Sequence, residues 1–172
     1  MDVIKKAIRD VPDWPHEGIL FKDITPVLND GALLDRALAL MWPSLNEETD
    51  IDKIVGIESR GFIFGTPMAD RRKVGFVPVR KPGKLPYDTY SETYELEYGQ
   101  DALEIHTDAI QKGEKVLIVD DLLATGGSAE AVCKLVESLG GQIVGVSVLV
   151  ELSFLKGREK LPDYRVESVI QF

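Results

Sequence analysis

The chain has 172 residues, enough for one domain with a full core, and its 44% hydrophobic and 28% charged content is ordinary for a globular protein. A net charge of −9 excludes a general nucleic-acid-binding face, which would need a basic surface. The N-terminus mixes charges, which excludes a secretory signal. No run approaches membrane-spanning length, so a cytoplasmic protein with no membrane partner is expected. A lone Cys133 reads as a buried structural thiol, and His16 and His106 lack any zinc-ligand spacing.

Residues 2–9 read as a short helix opened by Asp2. Pro12, Pro15, Gly18 and Pro26 predict an irregular segment over 11–28, yet Trp14, Ile19, Leu20 and Phe21 are strongly apolar. Such a segment must pack over something, either as a lid on the core's edge or as a hood over a flat apolar ligand. Residues 32–48 predict a helix with Leu33, Leu34, Ala37, Leu38 and Met41 on one face, kinked or ended by Pro43. Residues 53–57 predict the first core strand, which runs into Glu58-Ser59-Arg60-Gly61-Phe62 and a helix over 62–71. Arg60 at that turn either pairs with a surface acid or helps to bind an anion. A second strand over 74–79 ends in Arg80-Lys81-Pro82-Gly83-Lys84. These cations form a solvated turn or, on a net-acidic chain, collect negative charge at a ligand's edge. Residues 85–93 predict a turn-rich loop, and its return arm over 94–99 pairs in a hairpin with a strand carrying Leu103 and Ile105.

The densest stretch follows. Val116-Leu117-Ile118-Val119 reads as a buried strand, with Asp120 and Asp121 where it should end. Leu122-Leu123-Ala124-Thr125-Gly126-Gly127-Ser128 leads into a helix whose face is Ala131, Val132, Leu135, Val136 and Leu139. Taken separately, the glycines could be only a turn, and the acids solvated or a displaced helix cap. Together they describe a phosphate cradle beside hydroxyl-binding carboxylates, since acids next to a phosphate repel it unless they face a sugar or a metal. The pattern is neither a Walker loop nor Gly-x-Gly-x-x-Gly. Gly140-Gly141 ends the helix, 143–149 is a further buried strand, 157–161 a turn and 166–170 an edge strand. The alternation predicts an α/β fold, a mostly parallel sheet flanked by helices, with both anion loops at strand C-terminal ends.

Val-Leu-Ile-Val-Asp-Asp-Leu-Leu-Ala-Thr-Gly-Gly-Ser resembles the phosphoribosyl pyrophosphate (PRPP) motif of the type I phosphoribosyltransferases, and the adenine-using members match best. The resemblance covers nearly the whole chain from about Val11. It implies a single domain over 1–172, with 11–28 as a base-binding hood and 81–98 as a flexible catalytic loop. The implied reaction is Mg²⁺-dependent and forms AMP and pyrophosphate from adenine and PRPP, a step of purine salvage. By resemblance, Phe21 stacks on adenine, Leu20 and Lys22 line the base pocket, and Leu152 covers the other face. Ser59, Arg60, Arg80, Lys81 and Lys84 meet the diphosphate. Residues 124–128 hold the 5′-phosphate, with Leu122 and Leu123 in the same motif. Asp120 and Asp121 take the ribose hydroxyls and sit near the metal shell, mainly through PRPP and water. Glu97, with Tyr98 in the Glu-Tyr-Gly signature, is the candidate for proton handling at the base. Arg80 could instead reach across a homodimer interface, which the resemblance also implies. Two alternatives stay open: transfer to guanine, hypoxanthine or xanthine, and a non-catalytic PRPP-binding regulator.

Overall fold

The computed structural model describes residues 1–42, 50–95 and 99–172. It divides into two compact units, Met1–Leu40 and Met41–Phe172.

In the first unit, helix α1 (Asp2–Ala7) precedes strands β1 (Arg9–Pro12) and β2 (Leu20–Asp23), then α2 (Thr25–Leu28) and α3 (Gly31–Met41), whose last residue enters the second unit. The expected irregular segment therefore contains an antiparallel ribbon, with Val11 opposite Phe21. Sequence reasoning overestimated the prolines. Pro12 closes a two-stranded edge where no ladder donor is required of it, Pro15 sits in the connection behind a cis bond, and Gly18 turns the chain at φ +85°. Asp13 accepts the Gly18 N–H at 2.8 Å across that connection. Asp30 caps α3, its carboxylate accepting the Ala32 and Leu33 N–H groups at 2.9 and 3.1 Å. Pro43 and most of the final turns expected of the 32–48 helix lie outside the described residues.

The second unit is built on five parallel strands in the order β4-β3-β7-β8-β9: β3 (Lys53–Ile57), β4 (Gly75–Val79), β7 (Lys115–Leu123), β8 (Gln142–Glu151) and β9 (Val166–Gln171). Strand side chains alternate between faces, and so does the packing. Val55, Ile57, Val116 and Ile118 join Val132, Leu135 and Val136 of helix α5 (Gly127–Ser138) in one buried cluster. On the α4 (Arg60–Arg72) side the fit needs small residues. A Cβ on Gly56 would meet the Phe76 and Phe62 rings, and one on Gly65 would meet Phe76 again. Each fully buried aliphatic side chain contributes about 1.5–3 kcal/mol, which holds this frame rigid beneath its loops.

Two corrections concern the 85–93 loop and the acids. Strand β5 (Thr89–Glu95) pairs antiparallel with β6 (Gln100–His106), so ordered structure begins where a loop over 85–93 was expected. Thr89, Tyr90, Thr93 and Tyr94 are good strand formers, and that outweighed the turn signals around them. Strand β7 continues through both aspartates to Leu123, still paired with β8, rather than ending at Val119. Gly140, at φ +82°, closes α5 as expected, and Cys133 is fully buried. No helix among the described residues is long and apolar enough to cross a membrane.

Candidate active site

At the C-terminal edge of the parallel sheet a cleft of about 270 Å³ is bounded by the ends of β3 and β7 and by the turn into α5. Its floor is acidic. Asp120 and Asp121 are successive residues of one strand, so their side chains leave on opposite sides, yet the strand's end brings both to the cleft. Burial and the neighbouring Asp121 charge push the Asp120 carboxyl well up, while its oxygen accepts the Asp121 N–H at 2.9 Å. Burial also raises Asp121, which is 4% exposed, and Arg60 opposes the rise with Nε 2.9 Å from its carboxylate. Arg60 opens α4, and a Cβ on the adjacent Gly61 would strike the Val119 carbonyl and come within 3.1 Å of Asp120. That missing side chain lets the helix start dock against the acids.

The glycine turn into α5 forms the next wall. Leu122, Ala124, Thr125, Gly126 and Ser128 line the cleft, whereas the Leu123 side chain points into the core. Gly126 is the N-cap of α5 at φ +82°, and among the described residues no side-chain hydrogen bond caps that end. Its first-turn amides and positive dipole end are therefore suited to an anion. Gly127 is closely covered: a Cβ there would lie 3.0 Å from the Glu95 carbonyl and 3.1 Å from the Tyr94 ring.

The cationic edge is already neutralised. Glu58, 8% exposed at its side chain, accepts the Lys84 ammonium at 2.5 Å, the Lys81 N–H at 2.8 Å and the Arg80 Nε at 3.3 Å. Burial alone would raise this carboxyl, but those donors outweigh it and hold it at about 2. Lys81 Nζ pairs instead with Asp101 at 2.8 Å, and the Tyr94 hydroxyl reaches the same carboxylate at 3.3 Å. Of these cations only Lys81 lines the cleft with Arg60; Ser59, Arg80 and Lys84 stand beside it on the same loops. The Glu58–Ser59 peptide is cis.

The remaining expected residues are more scattered. Leu152 is half-buried, its N–H donating to the Leu123 carbonyl at 2.9 Å. In the N-terminal unit Phe21 packs edge-on against Trp14 with centroids 4.4 Å apart, Leu20 is exposed, and Lys22 Nζ sits 2.6 Å from Asp10. Glu97 and Tyr98 lie outside the described residues. Sequence reasoning missed Glu58, Asp101 and Tyr94. The signal for the two acids was the Arg80–Lys84 cation cluster itself, which needs counter-charges when no ligand is bound.

The phosphoribosyl transferase domain family matches residues 25–172. The chain belongs to the phosphoribosyltransferase family. It is 55% identical over 169 residues to adenine phosphoribosyltransferase of Clostridium botulinum, covering 98% of both chains. It is 56% identical to the enzyme of that name from Acetivibrio thermocellus, over 98% of this chain and 99% of the other. A crystal structure of adenine phosphoribosyltransferase from Thermoanaerobacter pseudethanolicus superposes with a TM-score of 0.95 at 54% identity, covering 99% of each chain. The Saccharomyces cerevisiae enzyme, complexed with an imino-altritol bisphosphate and adenine, gives 0.93 at 46% over 98% and 97%. The expected phosphoribosyltransferase fold, a mostly parallel sheet flanked by helices, is therefore the observed one.

The family's usual divalent cation can be tested against the donor set. Among the described residues no cluster of three His, Cys, Asp or Glu side chains could cage a metal. Asp120 and Asp121 supply hard carboxylate oxygens, which suits Mg²⁺ that keeps waters and takes further ligands from substrate phosphates. The residues present fit that mode.

Proposed function

We propose that this chain has adenine phosphoribosyltransferase activity, moving the 5-phosphoribosyl group of PRPP to adenine and releasing pyrophosphate. The observation that carries the reading is the joining, in one cleft, of a buried aspartate pair and an uncapped helix N-terminus behind a glycine turn. Together they match the two polar ends of a ribose 5-phosphate. The names of relatives covering 98% of this chain, among them a structure holding adenine, support the choice of base.

In the reaction the bond from the anomeric carbon to the pyrophosphate oxygen breaks, and a bond to the purine nitrogen forms on the opposite face. The purine N–H proton must leave as that bond forms, and Glu97 is proposed to manage it. Asp120 and Asp121 accept hydrogen bonds from the ribose hydroxyls and would help to hold the cation, mainly through PRPP and water. When bound, Mg²⁺ supplies charge neutralisation at the diphosphate oxygens. Arg60, Lys81 and Lys84 add positive charge at the same place, with Ser59 and Arg80 on the flanking loops. The amides of residues 124–128, with the Thr125 and Ser128 hydroxyls, take the 5′-phosphate. The adenine contacts are proposed to come from Leu20, Phe21 and Lys22 of the hood over 11–28 and from Leu152, and residues 81–98 are proposed as the loop that shields the reacting carbon from water. The reading includes one catalytic domain acting as a homodimer in the cytoplasm.

The test is to supply PRPP and Mg²⁺ with adenine, guanine, hypoxanthine and xanthine in turn and to follow nucleotide formation. AMP from adenine, far ahead of the other products, is the expected result. Conversion of another base in its place would overturn the choice of base, and PRPP binding without turnover on any base would leave a regulator. Sedimentation of the purified protein tests the dimer.

A further inference from the structure

The turn that follows β8 meets the phosphate turn main chain to main chain. A Cβ built on Gly126 would run into the Gly157 carbonyl and come within 3.2 Å of the Gly157 Cα. A Cβ built on Gly157 would run into the Ala124 carbonyl and lie 3.1 Å from the Gly126 nitrogen. The nearest contacts in both directions are main-chain atoms, with the Leu123 side chain 3.1 Å from the Gly157 position as well. A displacement of Gly157 is therefore passed to Gly126, the residue that starts α5.

Arg158, the next residue, is what fixes Gly157. Its Nε and Nη2 donate to the two oxygens of Glu151 at 2.6 and 2.8 Å, a fork on a fork. Its Nη1 donates to the Val166 carbonyl at 2.6 Å, and Nη2 also reaches Ser168 Oγ at 3.1 Å. Ser168 and Gln171 donate to the same carboxylate at 2.6 and 3.2 Å. Glu151 is 4% exposed, so burial works against its charge, but Arg158, Ser168 and Gln171 keep its carboxyl below the ordinary value. Glu151 stands opposite Leu123, the last residue of the strand that carries both aspartates. The fork thus ties the 157–160 turn to β9 and to the end of β8, which pairs with the end of β7.

We propose that Arg158, locked on Glu151, is a positioning residue: it holds Gly157 against Ala124 and Gly126 and so sets the backbone amides that receive the 5′-phosphate. Neither side chain lines the cleft. The inference rests on the reading of residues 124–128 as the phosphate seat. Breaking an ion pair that only supported the fold would lower the melting temperature and leave ligand affinity alone; here Glu151 is buried while the Arg158 side chain is 41% exposed.

Arg158→Lys keeps the charge and loses the fork. Calorimetric titration of PRPP with Mg²⁺ should show about tenfold weaker binding, because a small misplacement of binding groups is costly, while KM for adenine stays within about twofold. Ser168→Ala, which leaves the fork and removes one hydroxyl, should shift PRPP affinity about twofold in the same direction, and it decides the matter if the lysine variant does not fold. Variants that melt earlier yet bind PRPP as the parent does would overturn the proposal. Thr125→Ala, measured alongside, separates the two layers. If it too leaves PRPP affinity unchanged, the phosphate seat itself is misassigned and the inference falls with it. If it weakens binding while the Arg158 and Ser168 variants do not, only the positioning role fails.

Discussion

The two charged walls of the cleft are built on different principles. The phosphate turn and the aspartates sit on a strand end and a helix start, with Gly126 and Gly61 allowing backbone to come close. Their geometry exists without a ligand. The cationic wall is made of long side chains, each resting on an acid of the same unit: Lys84 and Arg80 on Glu58, Lys81 on Asp101. On the proposed reading, the first wall is preformed and has to be desolvated, whereas the second has to exchange partners when a diphosphate arrives. Positioning by backbone costs little at the moment of binding, while flexible cations must give up bonds they already have.

The strongest way to break this contrast is to remove charge from the preformed wall. Asp121→Asn keeps the shape, but Arg60 loses its ion pair and a ribose hydroxyl loses a charged acceptor. We expect kcat/KM for AMP formation to fall about a hundredfold or more, as for the loss of one preorganised charge-stabilising group. The fold should persist, because burial already disfavours that carboxylate. Unchanged turnover in a folded variant would remove the acidic pair from the mechanism.

What could be read from the chain follows the same division. The preformed wall was legible because backbone-built sites leave a local pattern: an apolar run, two acids and small residues before a helical face all fall within Val116–Leu139. Even there the strand's end was set too early, since pairing of Asp120 with Val148 and of Leu123 with Glu151 is a tertiary fact. The cationic wall was legible only in part. Arg80, Lys81 and Lys84 announce themselves, but Glu58 is 26 positions from Lys84 and Asp101 is 20 from Lys81, beyond any local pattern. The Glu151–Arg158 fork was missed for a related reason. Its Ser168 and Gln171 partners join only when β9 pairs with β8.

An intermediate effect should come from Glu58, the hub of the exchangeable wall. Its carboxyl is held at about 2 against an ordinary 4.5, so the stability it contributes is complete above about pH 4.5 and is lost as the pH falls toward 2. Glu58→Gln cannot lose what it lacks. Thermal unfolding followed from pH 6 down to pH 2.5 should therefore show a shallower fall in Tm for the variant than for the parent. The variant should also be less stable at pH 6, where Lys84 and Arg80 are left without their counter-charge. Parallel curves would mean that the Glu58 bonds do not persist in solution.

The smallest effect separates restraint from positioning at Lys81. Asp101 holds that ammonium at 2.8 Å, but the lysine side chain is 51% exposed, so the pair is weak and screened. If the pair only occupies Lys81 until a diphosphate displaces it, Asp101→Asn frees the cation and PRPP binding improves. An exposed pair of this kind is worth two- to fivefold, so KM for PRPP should fall by about that factor, with the gap closing as ionic strength rises. If Asp101 instead aims Lys81 into the cleft, the same change raises KM. We expect the fall, because Tyr94 also reaches that carboxylate and its hydroxyl stays protonated, pushed up to about 12 by burial and by Asp101 and Asp120. The tyrosine can then keep donating to Asp101 after Lys81 has left, which makes the lysine the partner that is easier to release.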